Sequence, residues 1–338
     1  MTLPLLDKYG RQARDLRVSL TDRCNLRCTY CMPAEGLEWI PSEHTLTDAE
    51  TIRLIGIGVK KLGIRQVRFT GGEPLLRKSL EEIIAATKNF RTDEGKSPST
   101  ALTTNGLGLN RRIEGLVEAG LDRVNISLDT TDRELYTRLT RRDRINDVYA
   151  AIEAATRAGL HPVKVNAVVM PGVNEDSIVP LAEYCIKAGA QLRFIEQMPL
   201  GPRDKWRREN MVTAEDILER LRAAFELEPA SEPRGSAPAA LWNAYRCGEY
   251  VGKIGVIASV THSFCGSCDR TRLTTDGAVR NCLFGNSETS LRDLMRAGAS
   301  DQELMDAWAA EMWAKLPGHG VNDEGFLQPE RPMSAIGG

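Results

Sequence analysis

Between Asp15 and Met198 the chain alternates short β-branched runs with longer stretches that carry apolar residues at helical spacing. The strand candidates are LRVSL (16–20), QVRFTGGEP (66–74), STALTTNG (99–106), DRVNISLD (122–129), PVKVNAVVMPG (162–172) and QLRFIEQM (191–198). Between them LTDAETIRLIGIGVKKLG, SLEEIIAATKN, LNRRIEGLVEAG, INDVYAAIEAATRAG and NEDSIVPLAEYCIKAG predict helices, four of them closed by glycine, a frequent helix stop. Helical crossovers return the chain to the same end of a sheet, so the six strand-helix repeats predict a parallel α/β sheet closed or partly closed as a barrel. In such barrels function collects at the C-terminal strand ends. Those ends carry the unusual residues here: Gly71-Gly72-Glu73-Pro74, Thr103-Thr104-Asn105-Gly106, Ser127-Leu128-Asp129 and Glu196-Gln197-Met198.

EPASEPRGSAPAA (228–240) is rich in Pro, Ser and Ala and predicts an exposed loop, dividing a barrel at 1–227 from a smaller α+β region at 228–338. That second region opens on the strand-like EYVGKIGVIASV and holds helix candidates at 290–298 and 301–315. It ends in a tail too rich in Gly and Pro for a helix or strand of its own.

Lys plus Arg number 44 against 46 Asp plus Glu, a net charge of −2, so no global basic field points to nucleic acid or an anionic membrane. An anionic ligand must be met by a local cluster. No apolar run approaches the ~20 residues of a membrane span, and MTLPLLDKYG places charges where a signal peptide needs an apolar stretch. A cytoplasmic protein is expected, in which thiols stay reduced. Six of the eight cysteines fall in two tight groups, which points to metal or redox chemistry.

Cys24, Cys28 and Cys31 form a C-x3-C-x2-C loop with no fourth cysteine near. A structural zinc site closes with four protein ligands and a ferredoxin-type four-iron cluster uses four cysteines, whereas three thiolates leave one iron open to an exogenous ligand. Cys265, Cys268 and Cys282 repeat the pattern as C-x2-C-x13-C, with His262 near enough in sequence to complete a Cys3His zinc site instead. Cys185 falls on the apolar side of a helix candidate, and Cys247 in a hairpin-like stretch. Directly after Cys268, Arg270 and Arg272 alternate along an extended chain and aim two guanidinium groups to one side, an arrangement suited to phosphate. GKS at 95–97 lacks the first glycine of a P-loop, Phe90 standing in its place.

C-x3-C-x2-C after a first strand, with GGEP after the next, resembles the radical S-adenosylmethionine (SAM) superfamily. The fuller set of two three-cysteine groups, GGEPL, TTNG, SLD, VKVN, RFIE, CDRTRL and a terminal Gly-Gly resembles the GTP 3',8-cyclases that begin molybdenum cofactor synthesis, from about Asp15 to Gly338. The resemblance implies an incomplete (β/α)6 radical SAM barrel with a C-terminal α+β extension. It implies two 4Fe-4S clusters, held by Cys24, Cys28 and Cys31 and by Cys265, Cys268 and Cys282, the open iron of the first taking SAM and that of the second GTP. A 5'-deoxyadenosyl radical would remove the ribose C3' hydrogen, and C3' would attack guanine C8.

By motif, Tyr30, Gly72, Ser127 and Met198 are implied as SAM contacts. Arg17, Arg68, Thr103, Lys164, Arg270, Thr271 and Arg272 are implied as GTP contacts, and Arg17, Arg270, Arg272, Gly337 and Gly338 as the catalytic set. Singly, Arg17 and Arg68 also read as surface charges, Lys164 as a solvated strand end, and Tyr30 and Met198 as packing. Their shared placement favours a ligand, because cations converging on one barrel mouth repel each other without an anion. The family also implies an electron donor of unknown identity, a downstream cyclic pyranopterin synthase, and a monomer or homodimer. Two positions depart from the family pattern. Gln66 stands where Lys is common, and Ala335 where an aromatic residue precedes the terminal Ile-Gly-Gly.

Overall fold

The computed structural model describes residues 3–201, 206–324 and 326–337. Its organising feature is one twelve-stranded sheet. The six repeats supply β1 (Asp15–Ser19), β2 (Gln66–Thr70), β3 (Ser99–Thr104), β4 (Arg123–Ser127), β5 (Val163–Val169) and β6 (Gln191–Glu196), adjacent in that order and parallel. The C-terminal part extends both edges: β9 (Glu249–Ile257) runs parallel to β6 and carries β8 (Ala240–Arg246) and β7 (Glu226–Pro229) as antiparallel neighbours. On the other side β10 (Arg270–Leu273) runs parallel to β1 and carries β11 (Ala278–Arg280) and β12 (Thr289–Ser290). The sheet does not close on itself, which makes the barrel incomplete.

Helices α1 (Asp48–Lys61), α2 (Leu80–Lys88), α3 (Leu109–Glu118), α4 (Arg133–Thr140), α5 (Ile145–Arg157), α6 (Ile178–Lys187) and α7 (Ala214–Arg222) cover the outer face, and α8 (Leu291–Arg296) and α9 (Asp301–Trp313) follow β12. Alternation explains the layering. Leu16, Val18, Val67, Phe69, Leu102, Val124, Ile126, Val165, Leu192 and Phe194 face the helices at 0–1% exposure, while the residues between them face the barrel interior and are mostly polar. Parallel strands buried on both faces are normally apolar throughout; the polar set is the mark of an interior that receives a ligand.

Helices α4 and α7 fall outside the sequence-based expectation. Each starts at a cap that the sequence does contain: Asp132 accepts from Leu135 N, and Thr213 forms a capping box with Asp216. The tail also differs from expectation. Met333–Ile336 makes one helical turn, α10, after Pro332, and Ala335 and Ile336 are 6% and 0% exposed. Proline immediately before the first helical residue is compatible with a helix start, and burial supplies what propensity lacks. No helix among the described residues is long and apolar enough to cross a membrane.

Candidate active site

The first cysteine group sits on the loop that follows β1. Turn hydrogen bonds from Cys31 N (2.9 Å) and Met32 N (3.0 Å) to Cys28 O gather the loop. Leu26 N (3.5 Å) and Asn105 Nδ2 (3.8 Å) point at Cys24 Sγ. Burial pushes the thiols of Cys24, Cys28 and Cys31 up, that of Cys31 to about 12; metal binding would have to displace those protons. The GGE segment docks along the same loop, Gly72 N donating to Thr21 O (2.7 Å) and Glu73 N to Arg23 O (2.8 Å). A Cβ on Gly72 would stand 2.5 Å from Asp22 O, and one on Gly71 would strike Thr21 O. The two glycines are therefore required for close approach to the cysteine loop itself, a need that exists before any ligand is considered.

Glu73, fully buried, accepts from Leu75 N (3.0 Å), Asn105 N (2.7 Å) and Thr104 Oγ1 (2.7 Å), and burial raises its carboxyl to about 7. Asp129 accepts from Tyr30 OH (2.8 Å) and Val168 N (2.9 Å) and is raised by burial to about 6. The Asp129 carboxyl ties Tyr30 of the cysteine loop to β5, and Glu73 joins that loop through its N–H to the end of β3 through its carboxyl. Beside it lies a cavity of about 260 Å3 lined by Thr29, Tyr30, Met170, Gln197, Met198, Gly201 and Trp206.

A second cavity, of about 180 Å3, occupies the barrel interior. Arg17, Arg68, Arg193, Arg270 and Arg272 line it together with Thr103, Asn125, Asn166, Phe264, Phe284 and all three cysteines of the second group. Among the described lining residues none is Asp or Glu. Register explains the convergence, since Arg272, Arg17 and Arg68 are direct neighbours across β10, β1 and β2. Arg193 spends Nε (2.9 Å) and Nη2 (2.7 Å) on Asn166 Oδ1, but the buried Nε atoms of Arg17, Arg68 and Arg270 have no hydrogen-bond partner among the described residues. Burial, reinforced by neighbouring cations, pushes Arg17 well below its ordinary value, Arg193 to about 9, Arg272 to about 10 and Lys164 to about 7. Burial pushes Asp15 up, but Arg68, Arg17, Arg270 and Arg272 outweigh it and hold the carboxyl below its usual range. Cations this crowded and this poorly partnered fit a polyanion.

The structure corrects the expected geometry of this set. Arg17 and Arg68 are the middle residues of their strands, so the arginines line the depth of the barrel and do not ring its C-terminal mouth, while Lys164, the second residue of β5, is not among the residues that line the cavity. Thr271 is set apart from them. It alternates with Arg270 and Arg272, faces α9, and its Oγ1 accepts from Trp308 Nε1 (3.0 Å). Asn125, Asn166 and Arg193, missed in the sequence, occupy inward positions of β4, β5 and β6; the same two-residue alternation would have found them.

Gly337 reaches the site from the tail. Its carbonyl accepts from Arg272 Nη1, and a Cβ there would strike Ser19 Oγ and stand 2.7 Å from Thr70 Cγ2. Its φ of +76° also favours glycine. Gly338 lies outside the described residues.

Among the described residues no three His, Cys, Asp or Glu side chains close on a single ion position. Cys265, Cys268 and Cys282 line the second cavity, and His262 is not among its lining residues. Each trio supplies three free cysteine thiols, the donor type that holds a four-iron cluster. Met198 lines both cavities, which places the end of the first next to the interior of the second.

Two family models match the chain: the radical SAM superfamily over 18–185 and Molybdenum Cofactor Synthesis C over 190–321. Among solved structures, Streptococcus suis SuiB bound to S-adenosylmethionine aligns with 97% of this chain and 77% of its own, at a TM-score of 0.59 and 14% identity. Native anSMEcpe with bound AdoMet aligns with 86% and 81%, at 0.57 and 16%. Fold, cysteine loop and GGE segment together define a radical SAM enzyme.

The particular branch follows from closer relatives. A GTP 3',8-cyclase of Corynebacterium glutamicum (strain R) is 72% identical over 99% of this chain and 89% of its own length. One of Mycolicibacterium smegmatis is 57% identical over 99% and 92%. The chain belongs to the GTP 3',8-cyclase family.

Proposed function

We propose that the chain converts GTP to (8S)-3',8-cyclo-7,8-dihydroguanosine 5'-triphosphate, the first step of molybdenum cofactor biosynthesis, with the roles divided as follows. Cys24, Cys28 and Cys31 hold the SAM-binding cluster, and Tyr30 and Met198 contact SAM from the adjoining cavity, with Gly72 and Ser127 as SAM contacts outside its lining. Cys265, Cys268 and Cys282 hold the second cluster at the wall of the arginine-lined interior. Held by these residues, the first cluster and SAM would supply the radical chemistry directed at the ribose C3' position.

The protein's own work is placement. Arg17, Arg68, Arg270 and Arg272, with Lys164 and Thr103, hold the triphosphate deep in the barrel, and the second cysteine group holds the base end. The ribose is then left between them, toward Met198. Gly337 brings its carbonyl to Arg272 and keeps that guanidinium oriented, and Gly338 belongs with it in the catalytic set. The barrel, 1–227, thus provides the radical and most phosphate contacts, and 228–338 provides the base end and the tail. The observation that carries this reading is the shared Met198 wall between a cavity beside one cysteine trio and an arginine-lined cavity containing the other.

The test is anaerobic reconstitution with iron and sulfide, SAM, a reductant and GTP or ATP. About eight irons per chain are expected from two four-iron clusters. Cys24→Ala should abolish 5'-deoxyadenosine formation, whereas Cys282→Ser should retain some of it without cyclised nucleotide. Stoichiometric zinc with about four irons, or SAM cleavage indifferent to GTP, would redirect the reading to a different radical SAM reaction.

A further inference from the structure

Lys315 has no part in the scheme above, yet it is 3% exposed. Its ammonium donates to Arg270 O (2.9 Å), Cys268 O (3.4 Å) and Cys268 Sγ (3.4 Å). Among the described residues no carboxylate pairs with it. The nearest acid along its own helix, Glu311, is committed to Asn281 Nδ2 (2.8 Å), Ser287 Oγ (3.1 Å) and Thr289 Oγ1 (3.1 Å). The position is built: α9 is anchored to β10 through Trp308 and Thr271, and Lys315 follows its C-terminal end, N–H to Met312 O at 3.1 Å. Arg11 braces the other end of the cysteine turn, Nη1 donating to Cys265 O (2.8 Å), but its charge is already matched by Asp7 at 2.5 Å.

A buried ammonium without an anion costs several kcal/mol, so its persistence calls for a counter-charge. The one at hand is sulfur. Three thiolates on a four-iron core leave net negative charge that grows on reduction, and cluster potentials follow net charge and hydrogen bonds to sulfur.

We propose that Lys315 is the resident counter-cation of the second cluster, raising its reduction potential through the hydrogen bond to Cys268 Sγ. The proposal rests on the reading that Cys265, Cys268 and Cys282 hold that cluster. Lys315 is a positioning and tuning residue, since it touches a cluster ligand and lines neither cavity.

The test is an EPR-monitored redox titration of the reconstituted full chain, taking as the second-cluster signal the component that GTP perturbs. In Lys315→Met and in Lys315→Gln the reduced-to-oxidised ratio of that component at a fixed poise should fall about tenfold or more, a drop of ~59 mV for one electron. The SAM-perturbed component should not move, and Lys315→Arg should keep the wild-type value. Unchanged potentials in Met and Gln variants that retain their iron would overturn the proposal. So would loss of the second cluster in all three variants, which would make Lys315 a structural clamp only. Absence of a GTP-perturbed component from the wild type would instead defeat the underlying cluster assignment.

Discussion

Lys164 shows how a single residue reports on the empty and filled states of the barrel. Burial, then Arg193, Arg123 and Arg68, push its ammonium down to about 7. Above that pH the empty protein holds Lys164 largely neutral, while the unfolded chain would keep it charged. The unfolded state then binds more protons, so this residue makes stability rise with pH between about 7 and the ordinary lysine range. A triphosphate held by Lys164, as proposed above, would reverse the preference. At about pH 8 GTP binding should take up to about one proton, and affinity should weaken as pH rises from about 7 to about 9. Calorimetry in two buffers of different ionisation enthalpy measures the uptake, and Lys164→Met should remove it. A pH-independent affinity with no uptake would place Lys164 away from the phosphates. Gln66 belongs to the same neighbourhood, and its departure from the family pattern now has a partner. Its Oε1 accepts from Arg123 Nη2 at 2.9 Å, a contact that a lysine could not make.

At the scale of elements, β10 separates two kinds of residue that the motif CDRTRL runs together. Arg270 and Arg272 face the interior, whereas Thr271 is fully buried against α9 and satisfies the Trp308 indole. Thr271→Val should leave that N–H buried and unpaired and cost about 1–3 kcal/mol of stability. Its GTP affinity should stay near wild type, unlike that of Arg272→Ala. Chemical denaturation and a GTP titration of both variants separate the two roles. Loss of GTP binding in Thr271→Val with unchanged stability would return the hydroxyl to the site. The same alternation would have marked inward Asn125, Asn166 and Arg193; Asn166 and Arg193 stand inside the motifs VKVN and RFIE, but a motif alone does not say which of its residues face the interior.

For the whole molecule, the tail connects the last residues to the first strand. Gly337 fits between Ser19, Thr70 and Arg272, where any side chain would collide. Removing Gly337 and Gly338 should leave iron content and SAM cleavage near normal while cyclised product falls at least about tenfold, roughly 1.4 kcal/mol in transition-state stabilisation. Iron assay, 5'-deoxyadenosine and product quantified on one preparation decide it; turnover at the wild-type rate would make the tail a packing element alone. The replacement of an aromatic residue by Ala335 does not leave the tail loose, for Ser334, Ala335 and Ile336 are all buried.

Local chemistry was legible in the chain by itself: six strand-helix repeats, two incomplete cysteine sets, the glycines of GGEP and the paired arginines each depend on residue type at short spacing. What required the tertiary structure was distance between residues far apart in sequence. Continuation of the barrel sheet by β9 on one edge and β10 on the other brings Arg272 beside Arg17 and the second cysteine trio to the interior. Burial, which pushes Arg193 to about 9 and Lys164 to about 7, exists only once those strands are side by side. Periodicity says which face a side chain takes, but neither the depth of the cations in the barrel nor the meeting of Lys315 with Cys268 has a short-range signal. Both are products of register and of where α9 docks.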